Sequence, residues 1–388
     1  MQLSITSDLE AIEHEWRYFE QRAACTPFQT FDWLSAWQRC IGSLTGVKPA
    51  IVTGRQSNGE LLFILPLAIE RARFARRCVF LGHALCDYSA PLLAPEFPDV
   101  VGPADFANWW RAVEAFIQKT PGYNYEVLLF DKMPERIGQQ ANPLLALRTT
   151  RNSVRAYRTC LGSDWESFYA TKRSSATRSR DRTKRRRLAD NGELRVTTVD
   201  DPQERQSALR VLFNQKSRSF ARDGVFSLFE RPGHSDFYLS VSAKDRKLIH
   251  ISRLDVGSTC VAVNFGLQFR GCYYYILTSY DDGALGRFGP GVIHLHELMR
   301  YAISRGFRYF DFTIGNHPYK LEWADEEVEL YDHVAAVGWF GLLAAAKIEL
   351  KPRAKRWLEK SPLLWQLAVR CKSVVRSPKS SIRRRSIA

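Results

Sequence analysis

The chain has 388 residues, of which 45% are hydrophobic and 25% charged, a balance typical of a soluble protein with enough apolar side chains for two cores. No apolar run approaches the ~20 residues that a membrane-spanning helix needs. The N-terminus also lacks the basic and then apolar pattern of a secretion signal. We therefore expect a cytoplasmic protein.

The net charge of +15 is concentrated in two segments. Residues 172–187 hold nine Lys or Arg against Asp181, a net of +8. Residues 341–388 hold thirteen against two acids, a net of +11, so the remainder of the chain carries −4. The eight cysteines are scattered without any Cys-x-x-Cys pair, which is typical of reduced thiols and not of a disulfide framework or a zinc site.

The first half of the chain predicts helix, helix, hairpin, strand, helix and strand. Ser57-Asn58-Gly59 is a strong hairpin turn between two apolar runs. Residues 86–92 have no regular period and predict a loop that leads into a short strand. The predicted elements are helices near 9–21, after Thr30 and over 105–119, and strands over 49–54, 61–69, 78–82 and 125–130.

The second half predicts the same order of elements. Ser163 to Glu166 form a capping box that opens one long helix, and Asn191-Gly192 end it. The elements that follow are a strand over 193–199, a helix after Pro202, a hairpin of strands 247–254 and 259–269, a strand over 272–279, a helix from Pro290 and a strand over 307–314. Two units of similar architecture are therefore expected.

A glycine-rich loop precedes the helix that starts at Pro290. The first turn of a helix leaves backbone N–H groups without intrahelical partners at the positive end of the helix dipole, which suits a phosphate. Pro290 fits that first turn, and Gly306 ends the helix. The next strand alternates and carries Asp311, a carboxylate that must be paired, hydrogen-bonded or used.

Two motifs in this region resemble known acyltransferases. The run from Gly286 through Gly289 to Gly291 resembles the pyrophosphate loop of the GNAT N-acyltransferases, although Gly286 stands where that family has Arg or Gln; Arg287 is adjacent. The segment from Phe310-Asp311-Phe312 through Gly315, Tyr319-Lys320 and Trp323 resembles the closing segment of the BioF2-like, CelD (BcsL) acetyltransferases, relatives of the FemABX transferases. Residues 27–34 and Asp87-Tyr88 are also similar to that family.

The resemblance implies an α/β fold with two tandem GNAT-like domains, mixed central sheets and flanking helices. The domains would span 1–160 and 161–340, followed by a basic amphipathic tail over 341–388. It also implies acyl-coenzyme A, in particular acetyl-coenzyme A, as the donor, with no metal. The residues that would hold its pyrophosphate are Arg287, Gly289, Pro290, Gly291 and Val292, and its pantetheine would lie between the strands 272–279 and 307–314 if these diverge.

Acyl transfer also needs a base and donors for an oxyanion. The catalytic candidates are Asp311, Lys320, Tyr319, Asp281 and Tyr280. Asp311 has the alternative of a structural acid paired with Lys320 or an arginine, and Lys320 that of a surface lysine. Asp87, Tyr88 and His317 are candidates for contact with the acceptor. We expect Glu297 to be solvated. We expect His294 and His296 to be structural, because side chains two positions apart in a helix point to different faces.

Several partners and functions remain open at this stage. Residues 172–187 predict a helix whose Arg178, Arg182 and Arg186 share a face, suited to the 3′-phosphate of coenzyme A, a polyanionic acceptor, tRNA or acidic lipid. The tail is suited to a peripheral contact with the inner face of a membrane. For its part before Lys360 we expect instead a helix packed on the second domain, and both readings stay open for the rest. The expected function is acyl transfer to an amine or hydroxyl of a small molecule. The resemblance to the BioF2-like and CelD family implies a sugar precursor as acceptor and a setting in extracellular polysaccharide or cellulose synthesis. The alternatives are an aminoacyl-tRNA-dependent transferase, a catalytically silent accessory protein and a membrane-recruited accessory protein.

Overall fold

The computed structural model describes residues 1–72, 75–222, 224–244, 247–339 and 341–346. It is an α/β fold with two large mixed sheets. The helices are α1 Glu13–Arg22, α2 Phe31–Trp37, α3 Phe97–Val100, α4 Phe106–Lys119, α5 Trp165–Lys172, α6 Ser175–Ala189, α7 Pro202–Arg222, α8 His234–Lys244, α9 Pro290–Ser304 and α10 Pro318–Leu321.

The strands of the first half are β1 Gln2–Thr6, β2 Lys48–Arg55, β3 Leu61–Ala72, β4 Ala75–Phe80, β5 Leu92–Leu93, β6 Val127–Pro134, β7 Arg136–Ile137, β8 Gln140–Ala141 and β9 Thr149–Arg151. Those of the second half are β10 Ala156–Cys160, β11 Leu194–Thr198, β12 Ile249–Val256, β13 Thr259–Phe269, β14 Cys272–Tyr280, β15 Tyr309–Ile314, β16 Glu326–Val328 and β17 Leu330–Ala336.

The first sheet has the order β1-β2-β3-β4-β6-β17-β9, with β5 beside β3. The predicted hairpin is present as the antiparallel pair β2–β3, and β4 and β6 are parallel. Strand β3 is buried from Leu61 to Ile69 because both of its faces are covered, which explains its unbroken apolar run. Edge strand β1 was not predicted, although its five residues alternate between polar and apolar; they are exposed or half-exposed in the structure.

The second sheet has the order β11-β12-β13-β14-β15-β10-β16. Its hairpin β12–β13 agrees with the prediction. Strands β14 and β15 are parallel, and the chain crosses between them through α9. This strand–helix–strand unit contains the glycine-rich loop and Asp311.

The chain exchanges strands between the two sheets near the expected domain boundaries. Strand β10, from the end of the region expected to be the first domain, lies in the second sheet between β15 and β16. Strand β17, from the end of the region expected to be the second, lies in the first sheet between β6 and β9. Each half therefore completes its sheet with a strand that is distant in sequence.

The long helix predicted after residue 163 is two helices. Helix α5 begins after Asp164, whose carboxylate accepts from the Ser167 N–H, and it ends at Lys172. Arg173 has an extended backbone, and the Ser174 hydroxyl then accepts from the Thr177 N–H to start α6. A second capping residue thus divides the basic segment, with Lys172 and Arg173 on one side and the remaining cations on the other.

The two halves share a continuous apolar core. Trp33 of α2 contacts Phe237 of α8 edge-on, with ring centroids 4.9 Å apart. Phe28 lies beside Tyr274 of β14, and the Arg270 guanidinium donates to the Ala23 carbonyl across the same boundary. The second sheet is therefore fixed relative to the first by side-chain contacts between the two halves.

Residues 338–339 and 341–346 are helical and pack on the first sheet, not on the second domain as expected. A Cβ on Gly341 would lie 2.1 Å from the Glu126 carbonyl oxygen, so only glycine permits this approach. The placement follows from β17, which returns the chain to the first sheet. The rest of the expected tail, residues 347–388, lies outside the described residues.

Candidate active site

Strands β14 and β15 diverge in the middle of the second sheet. Their parallel pairing covers only three positions and ends where Tyr274 lies opposite Asp311. Beyond this pair β14 continues to Tyr280 and β15 to Ile314 outside the ladder, and the Thr313 hydroxyl donates to the Tyr275 carbonyl at 3.3 Å. The backbone ladder therefore ends at Asp311, as the expected divergence of the two strands requires.

Helix α9 starts at the open end of this divergence. Gly289 caps it with a left-handed backbone, φ +70°, which favours glycine, and Pro290 occupies the first turn. Gly291 lies against the Tyr280 ring, since a Cβ there would be 3.0 Å from Tyr280 Cδ1. A Cβ on Gly286 would be 2.8 Å from the Asp281 carbonyl oxygen, which explains why this position is glycine where the resembled family has Arg or Gln.

Helix α6 lies beside this loop. Its Leu188 is buried in a small cluster with Ile293 of α9, and Leu285 and Phe288 of the loop pack against that cluster. The side chain of Lys184 approaches Gly289, with Cδ 3.9 Å from the position of a Cβ there. The α6 side chains of Arg182, Lys184 and Arg186 are exposed. The basic segment therefore adds positive charge next to the start of α9.

Asp311 is buried and receives a hydrogen bond from the other half of the molecule. The Tyr88 hydroxyl donates to Asp311 and lies 2.9 Å from both carboxylate oxygens. The Thr313 N–H donates to Oδ1 at 2.7 Å. Arg158 is the cross-strand neighbour of Asp311 and pairs with Glu326.

Burial raises the pKa of Asp311 to about 6 because desolvation disfavours the carboxylate. The hydrogen bonds from Thr313 and Tyr88 and the charge of Arg158 act against this rise and lower the pKa, while Asp87 adds to it. Near neutral pH Asp311 is therefore ionised but close to its pKa, which is the condition that suits a general base.

The backbone at Asp311 is irregular. The β10–β15 pairing slips so that Tyr157 pairs with Thr313 and Arg158 with Asp311, which leaves Phe312 as the extra residue of a β-bulge. Thr313 has φ +56°, a left-handed conformation that is strained for a β-branched residue. The predicted strict alternation of this strand is wrong at this point, because the bulge shifts the register and turns the Thr313 amide towards Asp311.

Lys320 stabilises that irregular backbone. Its ammonium donates to the carbonyl oxygens of Phe312 at 2.7 Å, Thr313 at 3.3 Å and Ile314 at 2.6 Å. Burial lowers the pKa of Lys320 to about 8. The alternative of a surface lysine is wrong, because the side chain is buried and all three of its N–H groups have backbone acceptors. The contacts favour a positioning role.

The loop that carries Tyr88 is held by two side chains that the sequence analysis did not select. The Gln29 side-chain amide donates to the Tyr88 carbonyl at 2.8 Å. The Lys132 ammonium donates to the carbonyls of His83 and Cys86. Gln29 lies in the family-like segment 27–34, which was a usable signal, whereas nothing in the sequence marked Lys132.

The remaining acceptor candidates lie on the same side of the molecule. Asp87 is half-buried, and desolvation raises its pKa, while Lys132, the Thr313 hydroxyl and Lys320 act to lower it. His317 is exposed, and its ring stacks on that of Tyr319 at 6.0 Å. Burial raises the pKa of Tyr319 to about 12. Asp87, Tyr88, Asp311 and Lys320 are thus brought together, with Tyr319 and His317 at the edge.

The structure separates the other candidates from Asp311. The Asp281 carboxylate pairs with Arg218 of α7 at 3.3 Å and accepts from the Gly283 N–H at 3.2 Å, contacts that shape the loop. Tyr280 is exposed beside Gly291. Arg287 is exposed, with its guanidinium over the Phe288 ring. These residues belong to the start of α9, at the far end of the cleft.

The helix α9 histidines have separate surroundings, as expected. His294 is bonded to Ser252 at 2.9 Å, and His296 lies among aromatic rings that include Trp323. The expectation that Glu297 is solvated is wrong. Its side chain is largely buried and pairs with Arg185 of α6. Among the described residues no group of three His, Cys, Asp or Glu could hold a metal ion, and no helix is long and apolar enough to cross a membrane.

Comparison with known proteins places this site in a recognised type of domain. The family model described as an acetyltransferase (GNAT) domain matches residues 175–321, from the start of α6 to the end of α10. That range includes the glycine-rich loop, Asp311 and Lys320. A search of curated proteins finds no sequence match.

Solved structures share the whole fold at low sequence identity. The crystal structure of FemX aligns with a TM-score of 0.59 and 11% identity over 86% of this chain and 98% of that one. The C-terminal domain of a putative lysylphosphatidylglycerol synthetase from Agrobacterium fabrum aligns with a TM-score of 0.52 and 11% identity over 88% and 95%. A protein of unknown function from Bacteroides thetaiotaomicron aligns with a TM-score of 0.51 and 12% identity over 87% and 100%. Residues 175–321 are therefore similar to a GNAT-type acetyltransferase domain, and the α/β fold as a whole is similar to that of FemX.

Proposed function

We propose that the protein transfers an acyl group, in the first instance acetyl, from acyl-coenzyme A to an amine or hydroxyl. The observation that supports this proposal is the end of the β14–β15 ladder at Asp311, in a unit whose connecting helix α9 starts at Pro290 after a glycine-rich loop. The pyrophosphate would lie at Gly289, Gly291 and Val292, near Arg287 and Lys184. The pantetheine would extend between the strands towards Asp311.

In this proposal Asp311 removes the proton from the acceptor as the acceptor attacks the thioester carbonyl. The carbon–sulfur bond breaks, the acyl group forms its new bond to nitrogen or oxygen, and coenzyme A leaves as the thiol after protonation. The Tyr88 hydroxyl and the Thr313 amide hold the Asp311 carboxylate in place, and Lys320 holds the turn that presents the amide. Asp87 is proposed to contact the acceptor from the first half, with His317 and Tyr319 at the rim.

The finer assignment follows the resemblance to BioF2-like and CelD proteins. On that analogy the acceptor is a sugar precursor, and the setting is extracellular polysaccharide or cellulose synthesis. The domain boundaries at 160 and 340 are likewise proposed, with β10 and β17 exchanged across them. A catalytically silent accessory protein would bind the coenzyme, if at all, without turnover.

Calorimetric titration with acetyl-coenzyme A and with a longer acyl-coenzyme A, each at two salt concentrations, tests the donor site. Gly289→Glu should abolish binding, because it places a carboxylate where the pyrophosphate would lie. Gly306→Glu is the matched control, since Gly306 also has a left-handed backbone, φ +72°, at the other end of α9 and in open space. Equal loss in both variants, or none in either, would remove the loop from the donor site.

A charged tRNA is the second candidate donor, and the basic face of α6 is the observation that favours it. None of Arg178, Arg182 and Arg186 forms an ion pair with another described residue, and they recur every four positions. Replacing all three with Gln should lower tRNA affinity and reduce the slope of log K against log[salt] by about 2, if tRNA is the donor. Binding of acetyl-coenzyme A without measurable tRNA affinity would exclude this candidate.

A further inference from the structure

The helical residues 338–339 and 341–346 present their large apolar side chains outwards. Trp339, Leu342 and Leu343 are 63%, 63% and 65% exposed. With Ala346, also exposed, they occupy the positions i, i+3, i+4 and i+7 of one helix face. In a surface helix that stripe normally faces the core.

Small residues face the protein instead. Gly341 and Ala345 are four positions apart and are both buried, and Gly341 is in close approach to the Glu126 carbonyl just before β6 in the first sheet. The packing therefore determines the orientation of the helix. The side that contacts the protein is the side with small residues, and the apolar stripe faces outwards. A contiguous, exposed apolar face of this kind usually marks an interaction surface.

The charge of the sequence that follows identifies the partner. Residues 347–388 contain thirteen Lys or Arg against Glu349 and Glu359, a net of +11. Apolar side chains combined with clustered cations fit a bilayer that contains anionic lipids, because its interior is apolar and its headgroup layer is negatively charged. An aromatic residue such as Trp339 also suits the boundary between headgroups and acyl chains.

We propose that Trp339, Leu342 and Leu343 insert into the surface of a bilayer that contains anionic lipids, and that the basic residues 347–388 attract the protein to it. The contact lies on the first sheet, whereas the start of α9 belongs to the second. It does not depend on the acyl-transfer proposal.

The test is sedimentation of the full-length protein with vesicles of phosphatidylcholine alone or with about 30% phosphatidylglycerol. We expect binding only to the anionic vesicles, weakened by high salt. Leu342→Ser with Leu343→Ser should lower the partition coefficient at least about tenfold, because two apolar side chains no longer insert. Tyr18→Ser with Leu44→Ser is the matched control, since these residues are 67% and 65% exposed in other parts of the first half, and its binding should be unchanged.

Other results would overturn the proposal. Equal binding to both vesicle types would remove the basic residues from the contact, and anionic binding that survives Leu342→Ser with Leu343→Ser would remove the apolar face from it. A dimer that the double variant dissociates would assign the face to a second copy of the chain. A lower melting temperature of the double variant without any vesicle binding by the wild type would assign the face to the chain's own residues.

Discussion

The Tyr88 hydroxyl donates to Asp311 from a loop of the first half, across 223 positions of sequence, and lies 2.9 Å from each carboxylate oxygen. One half thereby sets the protonation of a carboxylate that lies in the other half, because a hydrogen bond to the ionised form lowers its pKa. A GNAT-like domain isolated at residue 161 would lack this hydroxyl. The candidate site is therefore a property of both halves.

Tyr88→Phe should raise the pKa of Asp311 above its value of about 6. A hydrogen bond to a charged group is worth about 1.5–3 kcal/mol, so we expect the acidic limb of the pH profile of kcat/KM to move up by about one unit. Affinity for acetyl-coenzyme A should be unchanged, because Tyr88 lies at the apex of the cleft and not at the start of α9.

Tyr331→Phe is the control for that change. Tyr331 also donates to carboxylates, those of Glu135 and Glu329, but it lies in β17 of the first sheet. Its removal should leave the pH profile unmoved. If the acidic limb of the kcat/KM profile does not move in Tyr88→Phe, then the ionisation of Asp311 does not control kcat/KM.

Asp311→Asn should strongly reduce turnover without lowering stability. The pKa of Asp311 is raised from 3.8 to about 6, so its contribution to stability is fully present below pH ~4 and is lost as pH rises through 6. Above pH 6 the carboxylate opposes folding by at most about 3 kcal/mol. The neutral amide avoids that cost, so the free energy of unfolding at pH 8 should equal or exceed that of the wild type, while kcat falls by about 10²–10⁴.

Asp255→Asn provides the contrast, because Asp255 is a buried acid of the same sheet that pairs with Arg253 at 2.6 Å. It should lower the free energy of unfolding measured with urea, and it should leave kcat/KM of the folded enzyme near the wild-type value. If Asp311→Asn behaves in the same way as Asp255→Asn, Asp311 is a structural acid.

Sequence patterns predicted the strand–helix–strand unit of the second half well, because its signals are local. The apolar run of β14, the glycines before Pro290 and the stop at Gly306 each depend on neighbouring residues. The resemblance also marked Asp311, Lys320 and Tyr88. None of these signals required knowledge of which strands are adjacent.

Features that depend on distant residues were not predicted. The β-bulge at Phe312 arises from pairing with β10, which lies about 150 positions earlier. The buried Lys320 bonds to the carbonyls of an irregular segment in which Thr313 has a positive φ, a conformation that the sequence did not indicate. The placement of Gly341 on the first sheet depends on β17 crossing back to that sheet, and neither hydrophobic period nor capping residues encode such a crossing.

Lys320→Met should destabilise the fold. It leaves the carbonyl oxygens of Phe312, Thr313 and Ile314 without their donor, so we expect a loss of about 2–3 kcal/mol in urea unfolding. Lys48→Met is the control, because Lys48 donates to one exposed carbonyl, that of Gly122, and should cost less than about 1 kcal/mol. At temperatures where the Lys320→Met variant is folded, its affinity for acetyl-coenzyme A should equal that of the wild type. Loss of that affinity with unchanged stability would instead place Lys320 against the donor.

Lys184→Gln tests whether helix α6 contacts a phosphate of the coenzyme at the start of α9. The Lys184 side chain approaches Gly289, so its ammonium can reach a phosphate seated at the start of α9. Losing one charge-assisted hydrogen bond should weaken acetyl-coenzyme A binding about tenfold. Arg180→Gln, one turn earlier on the same helix, removes an equal charge from an exposed side chain whose guanidinium donates to Thr177, and should change the affinity little. Both variants should be titrated with acetyl-coenzyme A and with its analogue lacking the 3′-phosphate. A loss of affinity for both ligands would assign the Lys184 contact to the pyrophosphate. A loss seen only with the complete coenzyme would assign it to the 3′-phosphate.

Equal weakening by Arg180→Gln would show that α6 acts through its overall charge, as expected for a long polyanion such as tRNA and not for a single nucleotide.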